Sequence, residues 1–264
     1  MQEQADFPDG RYERKYLLPD RIAVAVRDAL RPHLDMDSHT PAGQVRGYQV
    51  YSLYFDNSEL DLYLHTRRRL PNRFKLRVRF YDRDAQGAAY VEVKEKAGGM
   101  VHKRRYRADK SLVDAMVRDP ACEALKHALG NGARGSALEE FCQRAKELGA
   151  GPKLFLQYER EAYNSKEAPH VRVTFDRRIK TMPSNTAAGL AMPTLGTNIG
   201  GLNVLLEIKY AGEPPEWLTK VVTDFRLRRA SFSKFAEGVD VLGISGAQPP
   251  KHRLGVKKNP TSPA

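Results

Sequence analysis

The sequence has few cysteines and no long apolar run, and these absences exclude several classes of protein. Its two cysteines, Cys122 and Cys142, are too few for a disulfide framework or a cysteine-only zinc site. No stretch approaches the roughly 18 apolar residues that a membrane-spanning helix needs. The opening residues, MQEQADFPDG, lack the basic and apolar regions of a signal peptide. We therefore expect a cytoplasmic protein.

Common catalytic motifs are also missing. No two of the seven histidines have the spacing of metal ligands on one helix face. No GxSxG motif supports a serine hydrolase. No GxxxxGK motif is present either, so a nucleotide would have to be bound by side chains.

Positive charge is what the sequence has in excess. It contains 44 lysines and arginines against 32 aspartates and glutamates, a net charge of +12 over 264 residues. A chain this basic is expected to bind an anionic partner, such as nucleic acid, a membrane surface or phosphate. The positions of the basic residues along the predicted strands and helices indicate which of these partners fits best.

Local patterns predict a β-rich chain with a few helices. β-Branched and aromatic residues predict strands at 11–18, 48–55, 73–82, 89–96, 101–108, 153–163, 170–176 and 203–210. Helices are predicted at 20–34, 58–66, 111–149 with a break near Gly130–Gly135, and 214–228, with a further short element at 231–239 and a loop or loose hairpin at 181–202. We expect a single domain over 11–240, with disordered tails at 1–10 and 245–264.

Alternation along the strands places charge on one face only. Side chains alternate between the two faces of a strand, so Lys75, Arg77 and Arg79 oppose Leu76, Val78 and Phe80. Three other strands share this pattern, with charged positions at Glu92 and Lys94, Arg172 and Asp176, and Glu207 and Lys209. A half-buried sheet with a solvated polar face would give the same periodicity.

The sign of the charge favours a different arrangement. Strands lie about 4.8 Å apart, and like charges on neighbouring strands repel. Lys75, Arg77 and Arg79 next to Lys94, Lys103 and Arg105 would crowd positive charge unless a polyanion lay among them. A closed antiparallel barrel with a basic lumen, covered outside by amphipathic helices, accounts for this. The sequence thus predicts an α+β fold built on such a barrel, with phosphates and a divalent cation inside.

The ordered motifs resemble a known family over roughly residues 11–240. They are Glu13-Arg14-Lys15-Tyr16, Tyr51-Ser52-Leu53-Tyr54-Phe55-Asp56, Lys75 to Tyr81, Val91-Glu92-Val93-Lys94, Lys103-Arg104-Arg105, Tyr158 to Tyr163, Arg172 to Asp176, Leu206-Glu207-Ile208-Lys209 and Phe232-Ser233-Lys234-Phe235. As a set they resemble the triphosphate tunnel metalloenzymes (CYTH-like proteins). Within that group they are most similar to the catalytic domain of the vacuolar transporter chaperone (VTC) complex and its bacterial relatives.

This resemblance implies a triphosphate tunnel and a polyphosphate polymerase that moves the γ-phosphate of ATP onto a growing phosphate chain. It implies Mn²⁺ or Mg²⁺ as cofactor, held by Glu207. It also implies that seven basic residues bind phosphates: Lys15, Arg77, Arg79, Lys94, Arg160, Arg172 and Lys234. Of these we expect Arg77, Arg79, Lys94 and Lys234 to be catalytic. Residue 11 is Arg, so the acidic pair that opens the tunnel hydrolases is missing, which weakens a hydrolase interpretation.

Other residues are assigned from their position in the strands. Lys75, Lys103, Arg105 and Lys209 are further candidates for phosphate or nucleotide binding. Glu13 and Glu92 are candidate metal ligands or partners of nearby arginines. Asp176 is either a third carboxylate of the site or a turn residue.

Two other functions stay open at this point. The first is hydrolysis of tripolyphosphate or nucleoside triphosphates on the same fold. The second is a non-catalytic module that binds polyphosphate or nucleic acid, since Tyr81 and Tyr106 lie near basic residues. The expected partners are ATP and inorganic polyphosphate, with no specific nucleic acid; association with the membrane through a partner protein is left open.

Overall fold

A computed structural model describes residues 11–37, 47–84, 86–98, 100–119, 123–133, 135–168 and 170–244. The predicted tails, 1–10 and 245–264, lie outside the described residues. The strands are β1 (Arg11–Pro19), β2 (Leu34–Met36), β3 (Tyr48–Asp56), β4 (Arg73–Phe80), β5 (Ala88–Ala97), β6 (Met100–Asp109), β7 (Gly151–Ser165), β8 (Arg172–Pro183), β9 (Thr197–Asn198) and β10 (Asn203–Ala211). The helices are α1 (Asp20–Leu30), α2 (Asp61–Arg67), α3 (Lys110–Arg118), α4 (Glu123–Ala128), α5 (Ala137–Leu148), α6 (Glu216–Asp224) and α7 (Lys234–Val241).

One antiparallel sheet contains all ten of these strands. Its main path is β1-β10-β8-β7-β3-β4-β5-β6, with β2 added beside β7 and β9 beside β8. The α+β class and the predicted strands are confirmed, although β7 and β8 extend beyond their predicted ends. The first helix ends at Leu30, earlier than predicted, because Leu34–Met36 pairs with β7 as a strand.

The prediction of a closed barrel is wrong, because the sheet path ends at β1 and β6 without a ladder between them among the described residues. The outer edge of β1 has another partner. The backbone N–H of Ala230 donates to the carbonyl oxygen of Lys15 over 2.8 Å, and the ammonium of Lys15 donates to the carbonyl of Phe232. The segment leading into α7 therefore occupies an edge of β1 that a closing strand would need.

The two faces of the curled sheet separate apolar from charged residues, as the alternation predicted. The apolar face packs against helices in two clusters. One cluster includes Val113 of α3 and Phe141 of α5, and the other includes Val26 of α1 and Leu218 of α6. Burying these side chains removes the apolar face from water, which supplies most of the driving force for folding. The charged face is left to line the interior of the curl.

Candidate functional site

A cavity that is partly open to solvent lies inside the curl of the sheet, and the space between its walls, open solvent included, is about 580 Å³. Its walls come from β1, β3, β4, β5, β7 and β10, and the start of α7 forms one end. The lining residues are Glu13, Lys15, Tyr54, Lys75, Arg77, Arg79, Lys94, Tyr158, Arg160, Glu207, Lys209, Ser233, Lys234 and Phe235. Eight of these are basic and two are acidic, so the site has a large formal excess of positive charge.

Most of the residues expected from the sequence meet in this cavity. Ten of the fourteen candidates line it: Glu13, Lys15, Lys75, Arg77, Arg79, Lys94, Arg160, Glu207, Lys209 and Lys234. Cross-strand register explains this, because Lys75 lies opposite Lys94 and Lys15 lies opposite Glu207. Residues with the same alternation on paired strands share one face of the sheet.

The other four candidates are not among the residues that line the cavity. Glu92 is buried behind Arg77. Arg172 forms an ion pair with the buried carboxylate of Asp37. Lys103 and Arg105 lie on β6, opposite Lys94 and Glu92, at the edge of the sheet. Neither of these two side chains is among those that line the cavity.

Arg77 and Glu92 form a buried ion pair in the cavity wall. The Nε of Arg77 donates to Oε2 of Glu92 over 2.5 Å, and its Nη1 donates to the hydroxyl of Tyr54. Burial alone would raise the pKa of Glu92, but Arg77 and Arg79 outweigh it and hold that pKa far below its ordinary value. The charge of Arg77 is therefore already compensated in part before any ligand binds.

Arg160 and Asp176 form a second, bidentate pair. Two guanidinium nitrogens of Arg160 donate to the two oxygens of Asp176, each over 2.7 Å, and Asp176 is fully buried. Lys234, at the start of α7, contacts Asp176 at 2.6 Å and Glu207 at 3.1 Å. Asp176 does not itself line the cavity, but it contacts two side chains that do, and it links β7, β8 and α7.

Arg79 differs from these arginines in its partners. Its Nε donates to Ser52 Oγ over 3.3 Å and its Nη2 donates to the hydroxyl of Tyr158 over 3.2 Å. Among the described residues it forms no ion pair with a carboxylate. A buried guanidinium held only by hydroxyl groups leaves its charge available to an anion.

Glu13 and Glu207 face each other across Lys15. The Lys15 ammonium lies 3.1 Å from Oε1 of Glu13 and 3.5 Å from Oε1 of Glu207, and Lys94 contacts Glu13 at 2.9 Å. Burial would raise the pKa of Glu207, but Lys234 and Lys15 outweigh it and keep the pKa well below its usual value. Both carboxylates are therefore ionised at neutral pH.

This pair fits a divalent cation that takes most of its ligands from a substrate. Mg²⁺ in nucleotide sites is bound by one or two carboxylates together with phosphate oxygens and water. Within the described part of the chain, no group of three or more His, Cys, Asp or Glu side chains is arranged to hold a metal. Glu92 is not a third ligand beside Glu13 and Glu207, because its carboxylate is paired with Arg77.

Two lysines show how strongly the cavity is charged. Burial, with the charges of Lys15 and Lys94, holds the pKa of Lys75 well below its ordinary value. Burial likewise lowers the pKa of Lys209, even though Glu13 and Glu207 act in the opposite direction. Burial disfavours the charged form of both lysines, and neighbouring positive charges add to this effect. A bound anion would reverse that preference.

We therefore expect tripolyphosphate binding to take up protons and to weaken as pH rises. The anion stabilises the ammonium forms of Lys75 and Lys209, so both pKa values rise on binding, and above the lowered values each bound anion draws in protons. Calorimetric titration in two buffers of different ionisation enthalpy measures this uptake. Lys75→Met should reduce it, whereas Lys220→Met, at an exposed position on α6, should not. Binding without proton uptake would contradict the expectation.

Sequence reasoning missed the neutral residues of the site. Tyr54 and Tyr158 supply hydroxyls to Arg77 and Arg79, and Phe235 stacks on Tyr54 with ring centroids 5.1 Å apart. Ser233 caps α7 and accepts a hydrogen bond from Lys75 over 2.8 Å. Alternation places Tyr54 and Tyr158 on the charged face, so that signal was available in the sequence.

The α7 helix is fixed in place from outside the cavity. Arg67 of α2 forms ion pairs with Glu237 and Asp240, and the hydroxyl of Tyr63 donates to Asp240 over 2.5 Å. Both carboxylates are buried. These contacts hold the first turn of α7, with Lys234, against the open end of the sheet.

No helix in the described ranges is both long and apolar enough to cross a membrane. This agrees with the lack of long apolar runs in the sequence.

Comparison with known proteins gives one family match and several weaker similarities. The VTC domain family matches residues 10–243. The vacuolar transporter chaperone complex subunit 4 of Schizosaccharomyces pombe is 24% identical over 227 residues, which cover 73% of this chain and 32% of that protein. The chain thus spans about a third of the length of this curated relative.

Solved structures resemble the fold only loosely. A Pyrococcus horikoshii OT3 protein has a TM-score of 0.44 and 11% identity, with 86% of this chain and 97% of the other covered. A candidate adenylate cyclase from Bacillus halodurans has a TM-score of 0.47 and 12% identity, with 85% and 96% covered. At these values the similarities establish neither an activity nor a ligand.

Proposed function

Because the chain belongs to the VTC domain family, as its motifs predicted, we propose that it is a polyphosphate polymerase that uses ATP. The observation that carries this proposal is the partly open cavity lined by eight basic and two acidic side chains. A chain of phosphates is the ligand class that such a charge distribution accommodates. The Schizosaccharomyces pombe relative is named as a subunit of a complex, so a partner protein, in the membrane or bound to it, belongs to the same proposal.

The reaction needs no nucleophile from the protein. A terminal oxygen of the phosphate chain attacks the γ-phosphorus of ATP, a new P–O–P bond forms, and the bond between the γ-phosphorus and its bridging oxygen breaks. The electron pair of that bond leaves with ADP. Positioning and charge stabilisation supply most of the catalysis in phosphoryl transfer.

The cavity residues divide this work. Arg79 and Lys75 form no ion pair with a carboxylate of the described residues, so they bind phosphate oxygens. Lys209, which lies 3.8 Å from Glu207, binds beside them. Arg77, Arg160 and Lys234 are held in place by Glu92, Asp176 and Glu207, so they present fixed donors to the reacting groups. Lys15 and Lys94 bind from β1 and β5. Arg172 is paired with Asp37 and is left out of the phosphate site.

Glu207 and Glu13 are the residues that would hold Mn²⁺ or Mg²⁺. The ion would offset negative charge on the phosphates when bound. In its absence the same two carboxylates keep Lys15 ionised and oriented: burial would lower the pKa of Lys15, but Glu13 and Glu207 outweigh it and raise it.

Hydrolysis on the same scaffold is the less supported alternative. A hydrolase needs a group that activates water. Both carboxylates that line the cavity are ion-paired with lysines, and their pKa values lie well below the ordinary range. Such carboxylates are weak bases, which favours transfer to a phosphate chain over transfer to water.

We expect purified protein with ATP and Mn²⁺ to produce a ladder of polyphosphate on a stained gel, and Glu207→Gln to abolish it. The substitution keeps the shape of the side chain and removes the charge that binds Lys15, Lys234 and the metal. Glu213→Gln, at an exposed position after β10, is the matched control and should keep the ladder.

The products separate the alternatives. Orthophosphate without a ladder would move the assignment to a hydrolase. Salt-dependent nucleic-acid binding without turnover of ATP would favour a binding module. A ladder that persists in Glu207→Gln would contradict the assigned role of Glu207.

A further inference from the structure

Lys75 differs from the other lysines of the cavity in its contacts. The cavity is lined by five lysines, namely Lys15, Lys75, Lys94, Lys209 and Lys234. All of these except Lys75 lie 3.8 Å or less from a carboxylate oxygen of Glu13 or Glu207. Lys75 forms no ion pair with a carboxylate of the described residues, and its Nζ donates a hydrogen bond of 2.8 Å to the hydroxyl of Ser233. No ion pair therefore holds Lys75 in its ammonium form.

The groups around Lys75 favour its neutral amine form. Lys94 lies directly opposite Lys75 in the β4–β5 ladder, where paired Cβ atoms are about 5 Å apart. The side chain of Lys75 is half-buried. Burial, with the charges of Lys15 and Lys94, lowers its pKa well below the ordinary value, and Glu13 offsets this only in part. An amine that lacks its proton has a free electron pair and is a nucleophile toward carbonyl groups.

The same cavity offers charged groups that hold a phosphate. Eight basic side chains line it against two acidic ones. Lys15 keeps its charge, because Glu13 and Glu207 outweigh burial and raise its pKa. Arginine and lysine bind phosphate oxygens through charge-assisted hydrogen bonds. A nucleophilic amine among such groups suits a small molecule that carries both a carbonyl group and a phosphate.

We propose that Lys75 is a site of reversible covalent modification by aldehydes that carry a phosphate group. The electron pair of Nζ attacks the carbonyl carbon, a C–N bond forms, and the electrons of the carbonyl π bond move to oxygen. The two amine hydrogens pass to that oxygen, which leaves as water, and a C=N double bond remains. The hydroxyl of Ser233, 2.8 Å from Nζ, is placed to relay one of these protons. Nothing is oxidised or reduced in this step.

The test treats the purified protein with pyridoxal 5′-phosphate at neutral pH, without ATP, and traps the imine by reduction with borohydride. Peptide mass spectrometry then locates the label. Glyceraldehyde 3-phosphate serves as a second phosphorylated probe, and pyridoxal serves as the matched probe without a phosphate. Lys75→Met is the variant, and Lys220→Met, at an exposed position of α6, is the control.

We expect both phosphorylated probes to label Lys75 in preference to other lysines, and Lys75→Met to lose that label while Lys220→Met keeps it. Pyridoxal should label Lys75 at least about tenfold more slowly, which is the effect of losing one hydrogen bond to a charged group. Tripolyphosphate should protect Lys75, because it competes for the same basic side chains. Label spread over exposed lysines, or equal labelling of Lys75 by pyridoxal and its phosphate, would overturn the proposal.

The outcome is independent of the proposed function. Labelling is measured without ATP, so a protein that makes no polyphosphate would still be labelled at Lys75. If the proposed function holds, the modified protein should lose synthesis in proportion to the labelled fraction, because the adduct occupies the phosphate cavity. Synthesis that persists in fully labelled protein would contradict the cavity assignment without affecting the label.

Discussion

Replacing Arg79 by glutamine is expected to lower kcat/KM for polyphosphate synthesis at least about a hundredfold, which is the effect of removing one preorganised charged donor from an active site. The same substitution should leave the melting temperature nearly unchanged. Arg79 is bound by Ser52 and Tyr158, not by a carboxylate. Its removal leaves buried Glu92 with its ion pair to Arg77, and it relieves repulsion from Arg77, which acts against the charge of Arg79.

The separation of activity from stability is the informative feature of this prediction. Steady-state kinetics with ATP and a phosphate primer measure the activity, and thermal unfolding followed by circular dichroism measures the stability. Arg178→Gln, at an exposed position of β8, is the control and should change neither. Full activity in Arg79→Gln protein would remove Arg79 from the phosphate site. A large loss of stability would show that its charge has a structural partner.

Replacing Arg160 by methionine is expected to destabilise the fold by about 3 kcal/mol, at the lower end of the cost of breaking a buried ion pair. Asp176 is fully buried and would lose both bonds from Arg160, keeping only Lys234. For a chain of this size, we expect the melting temperature to fall by roughly 10 °C. Activity should be lost as well, because Arg160 lines the cavity.

Two further measurements identify the cause. Asp176→Asn in the Arg160→Met background should restore a large part of the lost stability, since the unpaired charge is gone, but it should not restore activity. Arg160 and Lys234 outweigh burial and lower the pKa of Asp176, so the pair contributes stability above the unfolded pKa of about 3.9. The difference between wild type and Arg160→Met should therefore shrink as pH falls below about 4. A difference that stays constant would exclude the ion pair as its source.

The sequence does not distinguish the three cavity arginines, but the structure gives them different partners. Arg77, Arg79 and Arg160 are all basic residues on the charged face of a strand, and all were expected to bind phosphate. Arg77 and Arg160 form ion pairs with buried carboxylates, whereas Arg79 forms no such pair within the part of the chain that the structure describes. Glu92 and Asp176 lie on other strands, so only the cross-strand register brings them to these arginines.

Whether the sheet closes into a barrel could not be predicted from the sequence either. The strands and their alternation are local properties, and they were predicted well. Whether β1 pairs with β6 depends on competition for one edge of β1, and the backbone at Ala230 takes that edge. This residue lies more than 200 positions along the chain from Lys15, and no local pattern in the sequence indicates such a contact.

By itself, the sequence determined which face of each strand is charged, because alternation has a period of two residues and depends on nothing beyond the strand. It also determined the family, through the order of its motifs. Tertiary structure alone decided which charges are compensated, which of them enclose a cavity and where the sheet ends. Those outcomes depend on strand register, curvature and long-range hydrogen bonds, which join residues that are far apart in the chain.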